Sequence, residues 1–508
     1  MTTTRMRVLA AALAALGLLL GAGTAVAATG EKIPPRPEQL RYPKLAFDVP
    51  EADGFRHVLS NGVVVYVAED HDLPLVNVSV RVKVGSFLDP EGKTGLASIT
   101  GRMLRQGGAG DLDAAAFDER ADFLAAQISS YTGDTGGGAG LNCITPVLDE
   151  ALDLFFSMLV SPRFDADRIE VEKTNRLEAM KQRNDDAGDI LAREWQWLMR
   201  GREHFTSRYP TKADLDAITR EDMIAFHRRW WNPRNMLITV SGDVDTKAIL
   251  AQLERRLAAF GDRGESTPWP PPKPEFTPVP GLYHVEKDIP QAKVNIGHLT
   301  FEWTDWDAKD PYALRVMSHI LGDSGFTSRI TKRIRSDEGL AYSAWARFGI
   351  GTWWPGIFRV SYQSKSSTVA LAAKLAFEEI RRIQAEPVSP DELDTARNSI
   401  IDSFPQRFNS PASTLSIFAE DEWIGRPHEY WTHYRDRIAA VGREDVQRVA
   451  RQYLHPDRTV FLVVGRWDEI APGDPDGRAS MAEFGEPTHL PLRDPLTLEP
   501  IEPTEPTD

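Results

Sequence analysis

The side chains best suited to hold a metal or act as nucleophiles are sparsely placed in this sequence. Its eleven His include no pair four residues apart, the spacing that sets two imidazoles on one helical face. The run His428-Glu429-Tyr430-Trp431-Thr432-His433 imitates a metal motif but is one residue too long. An i, i+5 pair on a helix diverges by about 140° and does not present both rings to one ion. The single Cys143 lies in the apolar run Leu141-Asn142-Cys143-Ile144 with no nearby His to activate it. One cysteine also excludes an intramolecular disulfide, a Cys-rich zinc site and a redox pair. Neither a G-x-S-x-G elbow nor a P-loop is present. With 74 Asp plus Glu against 59 Lys plus Arg, the net charge of -15 argues against nucleic acid or anionic lipid as a partner.

The elements that must position any chemistry are easier to read. The 508 residues suit two or three domains. Arg5 and Arg7 precede an apolar run over 8–22, and Ala25-Val26-Ala27 follows as a small-x-small cleavage pattern. Residues 1–27 are therefore expected to be a cleavable signal peptide, leaving a periplasmic or secreted chain with no membrane anchor after cleavage. Residues 261–281 carry seven prolines, which forbid helix, so 263–281 is predicted as a linker between domains at 28–262 and 282–472. A repeat supports the division. Arg220-Glu221-Asp222, Pro233, Gly242 and Asp245 recur 223 residues later as Arg443-Glu444-Asp445, Pro456, Gly465 and Asp468. The tail from 473 to 508 is acidic, Pro-rich and expected to be irregular.

Asn61-Gly62 between two apolar runs is a hairpin signal. Val76, Val78, Val80, Val82 and Val84 alternate with polar residues, the period-2 pattern of a strand with one buried face. Helical patterns follow at 94–105, 114–124, 146–161 and 166–185, and in the second half Val294, Ile296 and His298 alternate before a helix near 310–321. The expected fold class is α+β: two tandem homologous domains, each a mostly antiparallel sheet with helices packed on one face.

Residues 85–104, GSFLDPEGKTGLASITGRML, resemble the insulinase (pitrilysin) family of zinc metallopeptidases, which includes the mitochondrial processing peptidase. In that family a strand ending in Gly-Ser leads through an acidic loop to a helix beginning Gly-Leu-Ala, which carries the zinc motif H-x-x-E-H. Aligned on Gly95-Leu96-Ala97, the three motif places hold Ser98, Gly101 and Arg102. None supplies what the chemistry needs: two neutral imidazoles for Zn²⁺ and a carboxylate to take a proton from bound water. The family's third ligand, a Glu on a later helix, is replaced by Ala179, while Glu172 matches a supporting Glu seven residues before it. Glu178, one residue off, points about 100° round the helix.

A second family signature is matched. Arg335-Ser336-Asp337-Glu338-Gly339-Leu340-Ala341-Tyr342 is similar to a segment whose Arg and Tyr hold the substrate backbone and stabilise the tetrahedral intermediate. A guanidinium and a phenol both suit that role; the alternative is that Arg335 pairs with Asp337 or Glu338 and Tyr342 packs in a strand. The resemblance implies a clamshell half with no zinc on this chain. It implies a non-zinc subunit of a heterodimeric periplasmic peptidase, whose partner is a zinc-bearing insulinase-family subunit and whose substrates are peptides. The alternative is a catalytically silent peptide-binding or scaffold protein of the same fold.

Overall fold

The computed structural model describes Arg36 and residues 46–501. The predicted signal peptide and the last seven residues of the tail lie outside the described residues. All elements below belong to the unit Asp48–Asp508. Among the described residues no helix is long and apolar enough to cross a membrane.

Strands β1 (Arg56–Val58), β2 (Val64–Glu69), β3 (Leu75–Val82), β4 (Gln127–Thr132), β5 (Gly137–Ile144) and β6 (Met236–Gly242) form one six-stranded sheet. Strands β7 (Gly281–Glu286), β8 (Gln291–Leu299), β9 (Ala341–Phe348), β10 (Ile357–Lys365), β11 (Val460–Gly465) and β12 (Pro487–Leu490) form another. The first has the order β1-β2-β6-β3-β5-β4 and the second β12-β7-β11-β8-β10-β9. Apart from the edge strands β1 and β12, the two orders superpose strand for strand. Both share a parallel pair, β2 with β6 and β7 with β11, followed by antiparallel neighbours toward β4 and β9, and β12 adds a second parallel pair to the second sheet. The α+β class and the duplication read from the 223-residue displacement are thus present in the topology.

Local sequence explains the elements that carry the site. Asn61-Gly62 turns β1 into β2 (Val64–Glu69), with Gly62 at φ 85°, a conformation that favours glycine. In β3 (Leu75–Val82) the alternate valines Val76, Val78, Val80 and Val82 are buried and join Ile99, Met103 and Leu104 of helix Leu96–Gln106 in the first core. That helix starts where Asp89 accepts the Gly95 and Ala97 N–H groups at 2.8 and 2.7 Å. Burial raises the Asp89 pKa to about 6, partly offset by those two bonds.

Each sheet is also covered by a helix from the other half of the chain. Helix Ala187–Arg200 buries Ile190, Leu191, Trp195 and Met199 against Val285, Val460, Leu462 and Val464 of the second sheet. Helix Pro411–Ile424 lies on β2 and β6 of the first, where Glu422 accepts a bidentate pair from Arg56 at 2.9 and 3.1 Å and the Tyr66 hydroxyl at 3.0 Å. The two helices start 224 residues apart, so they are equivalent members of the repeat, exchanged between halves. This second cover is why β2 and β6 are buried on both faces although their neighbour β3 alternates.

The tail departs from its expected irregularity. Pro487–Leu490 adds β12 in parallel to β7 (Gly281–Glu286), and beyond it the chain returns to the first half. There the Leu496 and Arg493 carbonyls accept bonds from the Lys212 N–H and the Asn184 side chain. A Pro-rich, acidic composition obscured this because a short edge strand needs only four backbone groups to pair.

Candidate functional site

Ser98, Gly101 and Arg102 lie on helix Leu96–Gln106, and Glu172, Arg176, Glu178 and Ala179 on helix Ala166–Lys181. The two helices meet at Glu172, which is 4% exposed. Its two oxygens take the Arg102 Nε at 3.1 Å and the Arg176 Nε at 2.7 Å, and Arg176 also donates to the Ser98 hydroxyl at 3.2 Å. The place where a divalent cation and its ligands would sit thus holds two guanidinium cations sharing one carboxylate. An ion pair this close is self-satisfied, and a metal would have to displace a permanent positive charge to reach the carboxylate.

Gly101 closes the site from the other side. A Cβ at this position would lie 2.3 Å from the Thr132 hydroxyl and 2.4 Å from its backbone nitrogen, because the helix crosses strand β4 (Gln127–Thr132) at contact distance. The Ser130 hydroxyl donates to the Gly101 carbonyl at 2.7 Å and fixes the crossing. The backbone therefore leaves no room for the carboxylate of a proton-abstracting base. Ala179 is exposed, and Glu178 turns to Lys181 at 2.7 Å. Among the described residues no group of three or more His, Cys, Asp or Glu side chains is placed to share a metal. By donor set and by space, these residues do not fit zinc.

The remaining metal and nucleophile candidates are structural. His428 binds Asp53 at 3.0 Å, whereas His433 is exposed on the following helix. Cys143 is 1% exposed, and burial pushes its thiol up to about 11, which keeps it protonated and inert.

Arg335 and Tyr342 are brought together. Arg335 lies in the helical turn Lys332–Asp337, and Tyr342 follows on β9 (Ala341–Phe348), the edge strand of the second sheet. The pairing of β9 with β10 (Ile357–Lys365) shifts register between Gln363 and Ser364, which face Ser343 and Ala341, leaving Tyr342 as the extra residue of a bulge. A bulge re-aims a side chain, and Tyr342 is 85% exposed. The Arg335 guanidinium lies 4.8 Å from the Tyr342 ring centroid and 4.3 Å from that of Phe326. Two aromatic faces hold the planar group and leave its N–H edges available. The alternative pairing fails: Asp337 meets Lys332 at 3.9 Å, and Glu338 meets Arg333 and Arg478 at 3.5 and 3.0 Å.

Two participants were not found by sequence reasoning. Arg176 carried a readable signal, since it stands four residues after Glu172 on one helical face. Phe326 carried none, because its stacking on Arg335 depends on how the loop folds back.

The description "Insulinase (Peptidase family M16)" matches residues 64–195, and "Peptidase M16 inactive domain" matches residues 217–400, together more than half of the chain. The protein called "Non-peptidase homolog YmxG" in Helicobacter pylori is 24% identical over 79% of this chain and 91% of its own length. The "Uncharacterized zinc protease YmxG" of Bacillus subtilis is 22% identical over 80% of this chain and 97% of its own. Among solved structures, the peptidase M16 inactive domain from Pseudomonas fluorescens has a TM-score of 0.72 at 21% identity, covering 81% of this chain and 97% of that one. The periplasmic protease PqqL of Escherichia coli has a TM-score of 0.69 at 15% identity over 86% of this chain, which spans 49% of PqqL. Two sheets of one topology, an arginine-filled cleft where a zinc motif would stand and these matches lead to one conclusion: the chain belongs to the insulinase family, peptidase family M16, as a member without the zinc motif and without catalytic zinc of its own.

Proposed function

We propose that this chain is the non-zinc subunit of a heterodimeric zinc metallopeptidase of the periplasm, pairing with an H-x-x-E-H subunit of the same family to enclose peptide substrates. The contrast between its two sites carries this reading. One is shut by the Arg102–Glu172–Arg176 cluster, while the other holds a half-buried Arg335 against the exposed Tyr342 ring. Bond cleavage then belongs to the partner, and this chain contributes hydrogen-bond donors. The Arg335 guanidinium and the Tyr342 hydroxyl are suited to bind a peptide carbonyl oxygen and the charge that develops on it. Export rests on the N-terminal leader pattern, and the description of PqqL as a periplasmic protease supports the compartment.

The test is turnover of the reconstituted pair. Arg335→Ala lowers turnover of an unstructured peptide by at least about tenfold, as loss of one charged donor to a developing oxyanion does, without dissociating the complex on size exclusion. A second reading, a silent peptide-binding or scaffold protein, is favoured by the Helicobacter relative described as a non-peptidase homolog. It expects a partner whose turnover is untouched by Arg335→Ala and by Tyr342→Phe.

A further inference from the structure

Helix Pro411–Ile424 ends at Gly425 in a left-handed cap (φ 72°), and helix Tyr430–Ala439 follows five residues later. Between them and helix Asp310–Ser318 lies a cavity of about 710 Å³. Its apolar wall is aromatic, from Trp303, Tyr430, Trp431 and Tyr434, and its polar wall includes Arg315, Arg407 and Arg426.

The charges in this cavity do not balance. Arg426 is matched by the fully buried Asp421, with Nη1 to Oδ1 at 2.8 Å, and the other Asp421 oxygen accepts the Trp431 indole N–H at 2.8 Å. Glu420, the carboxylate in the lining, is committed to Arg81 at 2.6 Å. Among the described residues Arg315 and Arg407 have no carboxylate partner. Arg407 instead lies over the Trp431 ring at 5.5 Å. Partial desolvation by the cavity wall lowers the Arg407 pKa although the residue is exposed overall, and the nearby Arg315 and Arg426 cations push it the same way. The Tyr434 side chain is 2% exposed, and its hydroxyl has no hydrogen-bond partner among the described residues. Two exposed guanidinium groups without a carboxylate, beside a buried and idle phenol in an aromatic wall, form an incomplete set. A carboxylate completes it, because its planar pair of oxygens fits the guanidinium fork, and an attached apolar group gains the aromatic wall.

We infer that this cavity binds a carboxylate carried on an aromatic or large apolar group, the chemistry shared by a peptide C-terminus ending in such a residue and by a free aryl acid. Arg315 and Arg407 hold the carboxylate, and Trp303 and Tyr430 take the apolar part. The site lies within one chain and needs no partner subunit.

Isothermal titration of the full chain with N-acetyl-Gly-Ala-Phe as free acid, the same peptide as C-terminal amide, and 3-phenylpropionate tests this. The expected result is binding of the free-acid peptide with at least about tenfold weaker binding of the amide, the usual effect of losing a charged hydrogen-bond acceptor. Tighter binding of the peptide than of phenylpropionate assigns the site to peptide C-termini, and equal binding assigns it to aryl acids. Arg407→Gln and Arg315→Gln each weaken the free-acid ligand by at least about tenfold, whereas Arg381→Gln, outside the cavity, leaves it unchanged. Arg315 and Arg407 are both exposed, so both variants keep the fold. Equal binding of acid and amide, no binding of either acid, or insensitivity to both variants overturns the assignment.

Discussion

Glu172 sits between Arg102 and Arg176, and Gly101 lies where the helix touches β4. Both facts make the former motif a structural joint. Gly101→Ala forces a Cβ to 2.4 Å from a backbone nitrogen, so it is expected to destabilise the chain by about 1–3 kcal/mol, as overpacking does. Gly54→Ala, which meets nothing within 4 Å, is expected to cost under about 1 kcal/mol in the same urea titration. Buried histidines set an acid limit. His227 is 2% exposed with Nε2 at 2.9 Å from the Leu159 carbonyl, and burial lowers its pKa to about 3; His298 is lowered to about 4 for the same reason. The unfolded chain takes up these protons near pH 6.5 and the native chain does not. Their contribution is therefore full above pH 6.5 and is lost as pH falls toward 3 to 4. Asp89 and Asp421, both raised to about 6 by burial, act in the opposite sense, so the test isolates one group. Between pH 7 and 4.5, His227→Gln should lose roughly 2–3 kcal/mol less stability than the wild type, from about 1.4 kcal/mol per unit. At this scale the absent ligands were legible from register alone. Arg102 was legible in the same way; its meeting with Arg176 on one carboxylate was not, because Arg176 reaches Ser98 across 78 positions of sequence.

At the scale of elements, the exchange of helices Ala187–Arg200 and Pro411–Ile424 ties the halves together. Each buried aliphatic side chain on them contributes about 1.5–3 kcal/mol that a separate half forfeits. Residues 46–262 expressed alone are therefore expected to aggregate and to become soluble when co-expressed with 263–501. In the intact chain Trp195→Ala, at a side chain 1% exposed, should cost about 3–5 kcal/mol. A soluble, cooperatively unfolding isolated half would contradict the exchange. The hairpin at Asn61-Gly62 and the valine strand were readable because a turn dipeptide and a period of two act locally. The exchange was not, since an amphipathic helix states that one face is covered without naming the cover. Strand β12 was missed for the same reason: pairing by backbone leaves little side-chain signature.

At the scale of the whole molecule, the two halves carry sites of opposite character, one closed by an ion-pair cluster and one presenting donors. The 223-residue repeat made the pair of domains legible, and the matched Gly-Leu-Ala and Arg/Tyr segments made the family legible. The aromatic clamp on Arg335 and the arginine-lined cavity were not, because both assemble residues from separate loops and helices. In the proposed function a chain that presents donors but holds no metal works beside one that holds it, so the central claim concerns composition. The measurement that tests it most directly is affinity purification of the tagged full-length chain from its native cells, with proteins identified by mass spectrometry and zinc counted in the same sample. The account predicts co-purification of an H-x-x-E-H protein of the same family with about one zinc per pair. Stoichiometric zinc on this chain purified alone would contradict it.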